Sequence, residues 1–175
     1  VSATVVVGNP KVASRTASAA IAVAEAVGRS AVDGDGELSD EPTVIELAEL
    51  GPALFSWGDA KVAQAKAAVL ASDLIVFASP VYKASFTGLL KAFLDQFGRD
   101  ELGARAVVPL MVGASPAHSL AVEAQLRPVL IEIGASCPTR GLYILESQIP
   151  ELAPVIDEWL SVWGTALNAV ISTHQ

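Results

Sequence analysis

Ser72-Asp73-Leu74-Ile75-Val76-Phe77-Ala78-Ser79-Pro80-Val81-Tyr82-Lys83-Ala84-Ser85-Phe86-Thr87-Gly88-Leu89-Leu90-Lys91-Ala92-Phe93-Leu94-Asp95-Gln96-Phe97 is the stretch that decides the fold. It opens with a short, continuous apolar run rich in branched and aromatic residues, the pattern of a strand buried on both faces of a parallel sheet. Pro80 ends the run. From Phe86 the period changes: Phe86, Leu89, Leu90, Phe93, Leu94 and Phe97 share one helical face, and Ser85 stands where an N-terminal cap belongs. Strand, polar elbow and helix make half of a βαβ unit. The elbow 79–83 lies beyond the carboxyl end of a central strand, where open α/β sheets bind their ligands, so it is expected to form one wall of a site.

The flanking segments repeat the unit. Thr4-Val5-Val6-Val7-Gly8 is a β-branched run that feeds Asn9-Pro10-Lys11-Val12-Ala13-Ser14-Arg15-Thr16 and then an alanine-rich helical stretch to about Val27. A strand leading through a polar loop into a helix can bind phosphate, with Ser14 and Thr16 offering hydroxyls, Arg15 a charged fork, and the helix its free amides. The loop matches neither the dinucleotide Gly-x-Gly-x-x-Gly nor the triphosphate loop ending in Gly-Lys-Ser/Thr. A structural reading stands beside the functional one: Ser14 caps a helix and Arg15 is a solvated charge.

Thr43 to Leu47 reads as the second strand, and Asp59 as the cap of a helix running to about Ala71. Between them, 51–58 is irregular and carries Phe55 and Trp57. Ala106 to Val112 is the fourth strand, with Pro109 an interruption to a regular ladder. It opens into Gly113-Ala114-Ser115-Pro116-Ala117-His118, where Gly113 permits a ligand to approach the backbone and Ser115-Pro116 starts a helix to about Ile133. Pro128 is expected to kink that helix. His118 admits two readings, a ligand contact or an ordinary surface residue of a first helical turn. Thr139 to Leu145 is the fifth strand. The last helix, from about Glu151, carries an apolar stripe from Leu152 through Trp159 and Trp163 to Val170.

Five strands alternating with five helices predict one α/β domain over residues 1–175, a doubly wound parallel sheet of order 2-1-3-4-5 with helices on both faces. In that order the loops after strands one, three and four converge. The polar stretch Gly28 to Pro42 contains Asp33-Gly34-Asp35-Gly36-Glu37 but fails as a calcium loop, because Leu38 stands where Gly is needed and Val44 where Glu is needed. A mobile surface loop is expected there.

Composition narrows the function classes. Hydrophobic residues make up 52% of the 175, yet no apolar run approaches the roughly 18 residues that cross a bilayer, so the excess belongs to a sheet covered on both faces or to a subunit interface. A net charge of −8 without any Lys/Arg run argues against duplex nucleic acid, whose affinity comes mainly from phosphate neutralisation. A few amides and one Arg can still hold a small anion locally. Val1-Ser2-Ala3 begins no secretory signal, and the lone Cys137 can form no internal disulfide, so a cytoplasmic protein is expected with Cys137 as a core or near-surface thiol.

Three blocks carry a resemblance that covers most of the chain. Gly8-Asn9-Pro10-Lys11-x-x-Ser14-Arg15-Thr16, Ser79-Pro80-Val81-Tyr82-Lys83-Ala84-Ser85-Phe86-Thr87-Gly88-Leu89-Leu90-Lys91, and Ala117-His118-Ser119-Leu120-Ala121-Val122 with Leu126-Arg127-Pro128-Val129 resemble the NAD(P)H-dependent FMN reductases. The similarity is greatest to the branch serving two-component flavin monooxygenases of the alkanesulfonate type. It implies a flavodoxin-like fold, FMN and NAD(P)H as cofactor and substrate, and a flavin-dependent monooxygenase as partner. By that resemblance Ser14, Arg15 and Thr16 hold the FMN phosphate, with Asn9 where the family usually has Ser. Pro80, Val81, Tyr82 and Lys83 run beside the isoalloxazine; Gly113, Ala114, Ser115 and His118 close its other edge. No catalytic base and no metal are implied, since the cofactor carries the chemistry. The resemblance also implies a homodimer or homotetramer with the helix after the Pro-x-Tyr loop at the interface, which would cover the apolar face 86–97. Ala124 departs from an aromatic residue found in some sulfonate-linked members.

Three other readings use the same residues. A quinone or azo-dye reductase shares fold and FMN; a flavodoxin-type electron carrier lacks nicotinamide activity; a flavin-free α/β interaction domain requires all three block matches to be accidental. The missing Thr-rich phosphate turn and the diffuse acidic charge argue against the carrier.

Overall fold

The computed structural model describes residues 1–30 and 41–173. The expected acidic loop, and with it the failed calcium pattern, falls largely on residues outside the described ones. The elements in order are β1 (Ala3–Val7), α1 (Arg15–Ser30), β2 (Thr43–Glu46), α2 (Leu47–Leu50), α3 (Ala60–Leu70), β3 (Leu74–Pro80), α4 (Gly88–Leu94), β4 (Ala106–Gly113), α5 (Arg127–Glu132), β5 (Leu142–Leu145) and α6 (Leu152–Ile171). Short 3-10 or π turns join several of them. The sheet is parallel throughout, in the order β2-β1-β3-β4-β5, as the alternation of strands and helices predicted.

Side chains alternate across each strand and divide the core in two. Val5, Val7, Val76, Ala78, Val108 and Leu110 face α1 and α6, where Ile156, Trp159 and Leu167 complete one cluster. Val6, Ile75, Phe77, Val107 and Met111 face the other way, onto Leu47, Val62, Val69, Leu90, Phe93 and Leu130. Both faces of β1, β3 and β4 are therefore buried, which explains their unbroken apolar runs. Alanines at 17, 20 and 24 let α1 lie close over the sheet.

Four local expectations change. Ser85 does not cap α4: its backbone pairs with Tyr82 across a two-residue turn, and Thr87 is the cap, accepting from Leu90 N at 3.1 Å. The turn competes for Ser85 because two backbone hydrogen bonds hold it there. The apolar face of 86–97 needs no subunit interface to cover it, since Leu90, Phe93, Leu94 and Phe97 are already buried within one chain. The helix after β4 is not a single kinked helix. A 3-10 turn over Pro116–His118 and a π turn over Val122–Leu126 precede α5, so Pro128 sits in its first turn, where a missing N–H is tolerated. Finally, β5 begins at Leu142 rather than Thr139, because the carbonyls of Cys137 and Thr139 are taken by the Arg127 guanidinium.

Pro109 leaves the β3–β4 ladder unbroken and coincides with a gap on the other edge of β4. It falls between the isolated bridge Ala106–Ser136 and the first β4–β5 pair, Leu110–Leu142, a gap in which that edge of β4 has no partner strand. Burial pushes the Cys137 thiol up to about 11, so it stays protonated at neutral pH. Among the described residues no cluster of metal-ligating side chains occurs, and no helix is long and apolar enough to cross a membrane.

Candidate binding cleft at the carboxyl edge

Two buried hydroxyls shape the elbow after β3. Ser79 Oγ accepts from Thr87 N at 3.0 Å, and Thr87 Oγ1 donates to Gly8 O at 2.6 Å, which ties the elbow to the end of β1. Gly8 has no room for a side chain: a Cβ there would lie 2.6 Å from that of Leu90. Between these anchors Tyr82 and Ser85 exchange hydrogen bonds of 2.8 and 3.1 Å, leaving Lys83 (φ 52°) and Ala84 (φ 61°) as the turn residues. Positive φ at both positions is the signature of a type I′ turn, usually made by Asn-Gly. Holding Lys and Ala there costs of order 1–2 kcal/mol per residue. The turn projects Tyr82 into solvent at the rim, half exposed.

The loop after β1 is organised by side chains instead. Asn9 Oδ1 accepts from Lys11 N at 2.9 Å while its amide donates to Thr16 Oγ1 at 3.1 Å. Ser14 Oγ accepts from Ala17 N at 3.2 Å, so it does cap α1. Arg15 is not merely solvated: its guanidinium lies 2.9 Å from the carboxylate of Glu146, just beyond β5. Ala13, at φ 48°, donates its N–H to Glu46 Oε1 at 2.9 Å.

Loop and elbow enclose a cleft of about 300 Å³ lined by Asn9, Lys11, Ala13, Ser14, Arg15, Thr16, Pro80, Tyr82, Val112 and Glu146. Of the residues singled out from the sequence, Asn9, Ser14, Arg15, Thr16, Pro80 and Tyr82 meet here. Val81, Lys83, Gly113, Ala114, Ser115 and His118 do not line it. Val81 N instead donates to Val112 O, continuing the sheet by one residue. His118 is exposed on its 3-10 turn. Gly113 answers to Tyr143: an added Cβ would lie 2.0 Å from the Tyr143 hydroxyl, which donates to Ser115 O at 2.6 Å. Burial raises the pKa of that phenol, which therefore serves here as a neutral donor bracing the β4 loop.

Lys11, Ala13, Val112 and Glu146 are cleft residues that the sequence reading passed over. Lys11 and Ala13 lay within the quoted loop; Glu146 was findable as the first residue after strand five.

The donor set fits a phosphate monoester at one end. Two cations, two hydroxyls and the N-terminus of a 16-residue helix converge there. Pro80, Tyr82 and Val112 offer an apolar and aromatic wall at the other. A doubly wound α/β protein with a polar, cationic first loop and an apolar elbow at its switch point is the class these features define.

A model of the NADPH-dependent FMN reductase family matches residues 1–149, and the chain belongs to that family. It is 38% identical over 107 residues to an FMN reductase (NADPH) of Escherichia coli K12, covering 55% of this chain and 56% of that one. An FMN reductase (NADPH) of Pseudomonas putida is 40% identical over 81 residues, 46% of this chain and 41% of its own length. The NADH-dependent FMN reductase SfnE of Pseudomonas putida is 34% identical over 116 residues, covering 63% and 62%. The chain thus spans about half the length of the curated relatives it matches. Among solved structures, the apo form of an NADH:FMN oxidoreductase aligns at TM-score 0.75 with 32% identity, over 98% of this chain and 89% of that one. An oxidoreductase of Corynebacterium diphtheriae aligns at TM-score 0.84 with 28% identity, over 98% and 97%.

Proposed function

We propose that this chain is an NAD(P)H-dependent FMN reductase that supplies reduced flavin to a partner monooxygenase. The observation that carries the reading is the cleft itself, with phosphate donors from the β1 loop facing the Pro80–Tyr82 wall. FMN bound there supplies the acceptor for a hydride from the nicotinamide C4. The chain's own part is alignment and exclusion of water. Arg15, Lys11, Ser14 and Thr16 hold the phosphate; Pro80 to Lys83 run beside the ring; Gly113, Ala114, Ser115 and His118 lie on the neighbouring loop, where they approach a flavin that extends beyond the cleft. No side chain needs to act as a base, and proximity supplies the catalysis.

The names NADPH and NADH both occur among the relatives, so both nicotinamides are substrates to test. The monooxygenase partner rests on the resemblance of the three sequence blocks. We extend the reading to a cytoplasmic homodimer or homotetramer; the open groove between α4 and α5, lined by the charged Lys91, Asp95, Arg99 and Glu132 as well as by Pro128 and Val129, is the surface offered to a second copy. Light scattering on the purified chain tests the assembly.

The function is tested by optical assay of NADH and NADPH oxidation with and without free FMN, after recording the visible spectrum. Oxidation that requires FMN and saturates with it is the expected result. A yellow protein that oxidises NAD(P)H only on addition of a quinone would replace this reading by the bound-flavin quinone reductase.

A further inference from the structure

Two donors of the β1 loop, the Arg15 guanidinium and the Ala13 N–H, are engaged by carboxylates of the chain itself. Glu146, 39% exposed at its side chain, reaches across from the β5 end and pairs with Arg15 at 2.9 Å. Glu146 also lines the cleft. From the opposite side, at the end of β2, Glu46 Oε1 takes the N–H of Ala13, while its second carboxylate oxygen is enclosed without a partner among the described residues. Two anions from two different strand ends thus stand against one anion-binding loop.

We propose that Glu146 is an internal counter-anion that competes with the flavin phosphate for Arg15 and so sets how strongly the cleft prefers phosphorylated over unphosphorylated flavin. This rests on the FMN reading above and deepens it. Phosphate binding at Arg15 is an exchange of anions. A dianionic phosphate entering the cleft must take the guanidinium from Glu146, and it must then lie near a displaced carboxylate whose charge repels it. The Arg15–Glu146 pair is open to water, so it is weak enough to be broken by a ligand, yet it removes part of what Arg15 would otherwise contribute. Glu46 differs in role: its contact is to a backbone amide, and it holds Ala13 in the left-handed region, shaping the loop.

A cleft with such a competitor binds FMN more loosely, and discriminates less against riboflavin, than Arg15 would otherwise allow. That suits a protein from which reduced flavin must depart to a second enzyme. Reduced flavin still carries the phosphate, so the return of Arg15 to Glu146 offers the phosphate a way out without leaving a cation unpaired.

The test is equilibrium titration of the full chain with FMN and with riboflavin, followed by flavin fluorescence, for the parent, Glu146→Gln and Glu146→Ala. Both substitutions are at a partly exposed site, and the two remove the charge with and without keeping a polar group. Affinity for FMN is expected to rise about five- to tenfold in both, the scale of one weak ion pair plus one water-screened repulsion. Affinity for riboflavin is expected to stay within about twofold, because it has no phosphate to compete. Unchanged or weakened FMN binding in both variants, with the parent binding FMN, overturns the inference alone. An equal rise for riboflavin overturns it too, since the effect would then not act through the phosphate. Failure of all three proteins to bind either flavin overturns the FMN reading and this inference with it.

Discussion

The two walls of the cleft are built on opposite principles. The elbow after β3 is locked from beneath: Ser79 and Thr87 are buried, their hydroxyls bond backbone atoms of the elbow and of β1, and the strained turn Lys83-Ala84 is held above them. The loop after β1 is held from the side by groups that water and ligands can reach, the Asn9 amide and the Arg15–Glu146 pair. A buried hydroxyl bond is lost only at the full cost of an unsatisfied polar atom, whereas an exposed ion pair can be exchanged for another anion at little cost. The difference teaches a division of labour: the elbow gives a fixed surface to lie against, and the loop gives contacts that can be traded.

The largest effect should come from the locked wall. Thr87→Val removes the α4 cap and leaves Gly8 O buried without its donor, so it is expected to cost about 2–4 kcal/mol in denaturant unfolding. A loss under 1 kcal/mol would mean that the elbow is not anchored as described. On the exchangeable wall, Arg15→Ala should leave stability almost untouched but weaken FMN binding by about 1.5–3 kcal/mol, the scale of a charge-assisted hydrogen bond. Unchanged FMN affinity by titration would remove Arg15 from the phosphate site.

The strap after Ile133 extends the contrast to a third place. Arg127 spans the carbonyls of Cys137 and Thr139, and Glu123 binds both Arg127 and the N–H of Gly141. Burial alone would raise the Glu123 pKa, but Arg127, the Gly141 amide and Arg140 together hold it below the ordinary value of 4.5. A depressed pKa contributes stability that is present above the ordinary carboxylate range and lost as pH falls through the lowered value. Glu123→Gln is therefore expected to cost about 1–2 kcal/mol at neutral pH, with the gap to the parent closing in acid. Unfolding curves at neutral pH and below 4.5 decide this, and a gap independent of pH would show that the charge of Glu123 is not what matters.

The smallest effect probes the strain. Ala84→Gly relieves a left-handed alanine at the price of chain entropy and should stabilise the protein by about 0.5–1 kcal/mol. Destabilisation in a thermal melt would indicate that the turn opens in solution.

Much of the architecture was legible because its signals are local. Branched apolar runs of five to eight residues, each followed by a polar loop and a 3.6-residue period, define parallel strands and crossover helices by chain chemistry alone. The parallel sheet follows from that alternation, and its order from the flavodoxin-like winding, which brings the loops after β1 and β3 together. Asp59 as a cap was equally readable, since a cap acts within three residues. Ser85 misled because two local signals competed, and the backbone pairing with Tyr82 outweighed a side-chain cap.

What only the tertiary structure decided are the contacts set by register between distant strands. Whether Gly113 serves a ligand or the Tyr143 ring depends on β4 and β5 being aligned at Met111 and Tyr143. Which carboxylate faces Arg15 depends on β5 ending level with β1, across β3 and β4, and no pattern around residue 15 or residue 146 records that. Periodicity and capping act over a few residues of chain, so sequence displays them directly. A pair such as Arg15 and Glu146 exists only once β1, β3, β4 and β5 have chosen their register, and that choice is made by the packing of the whole sheet.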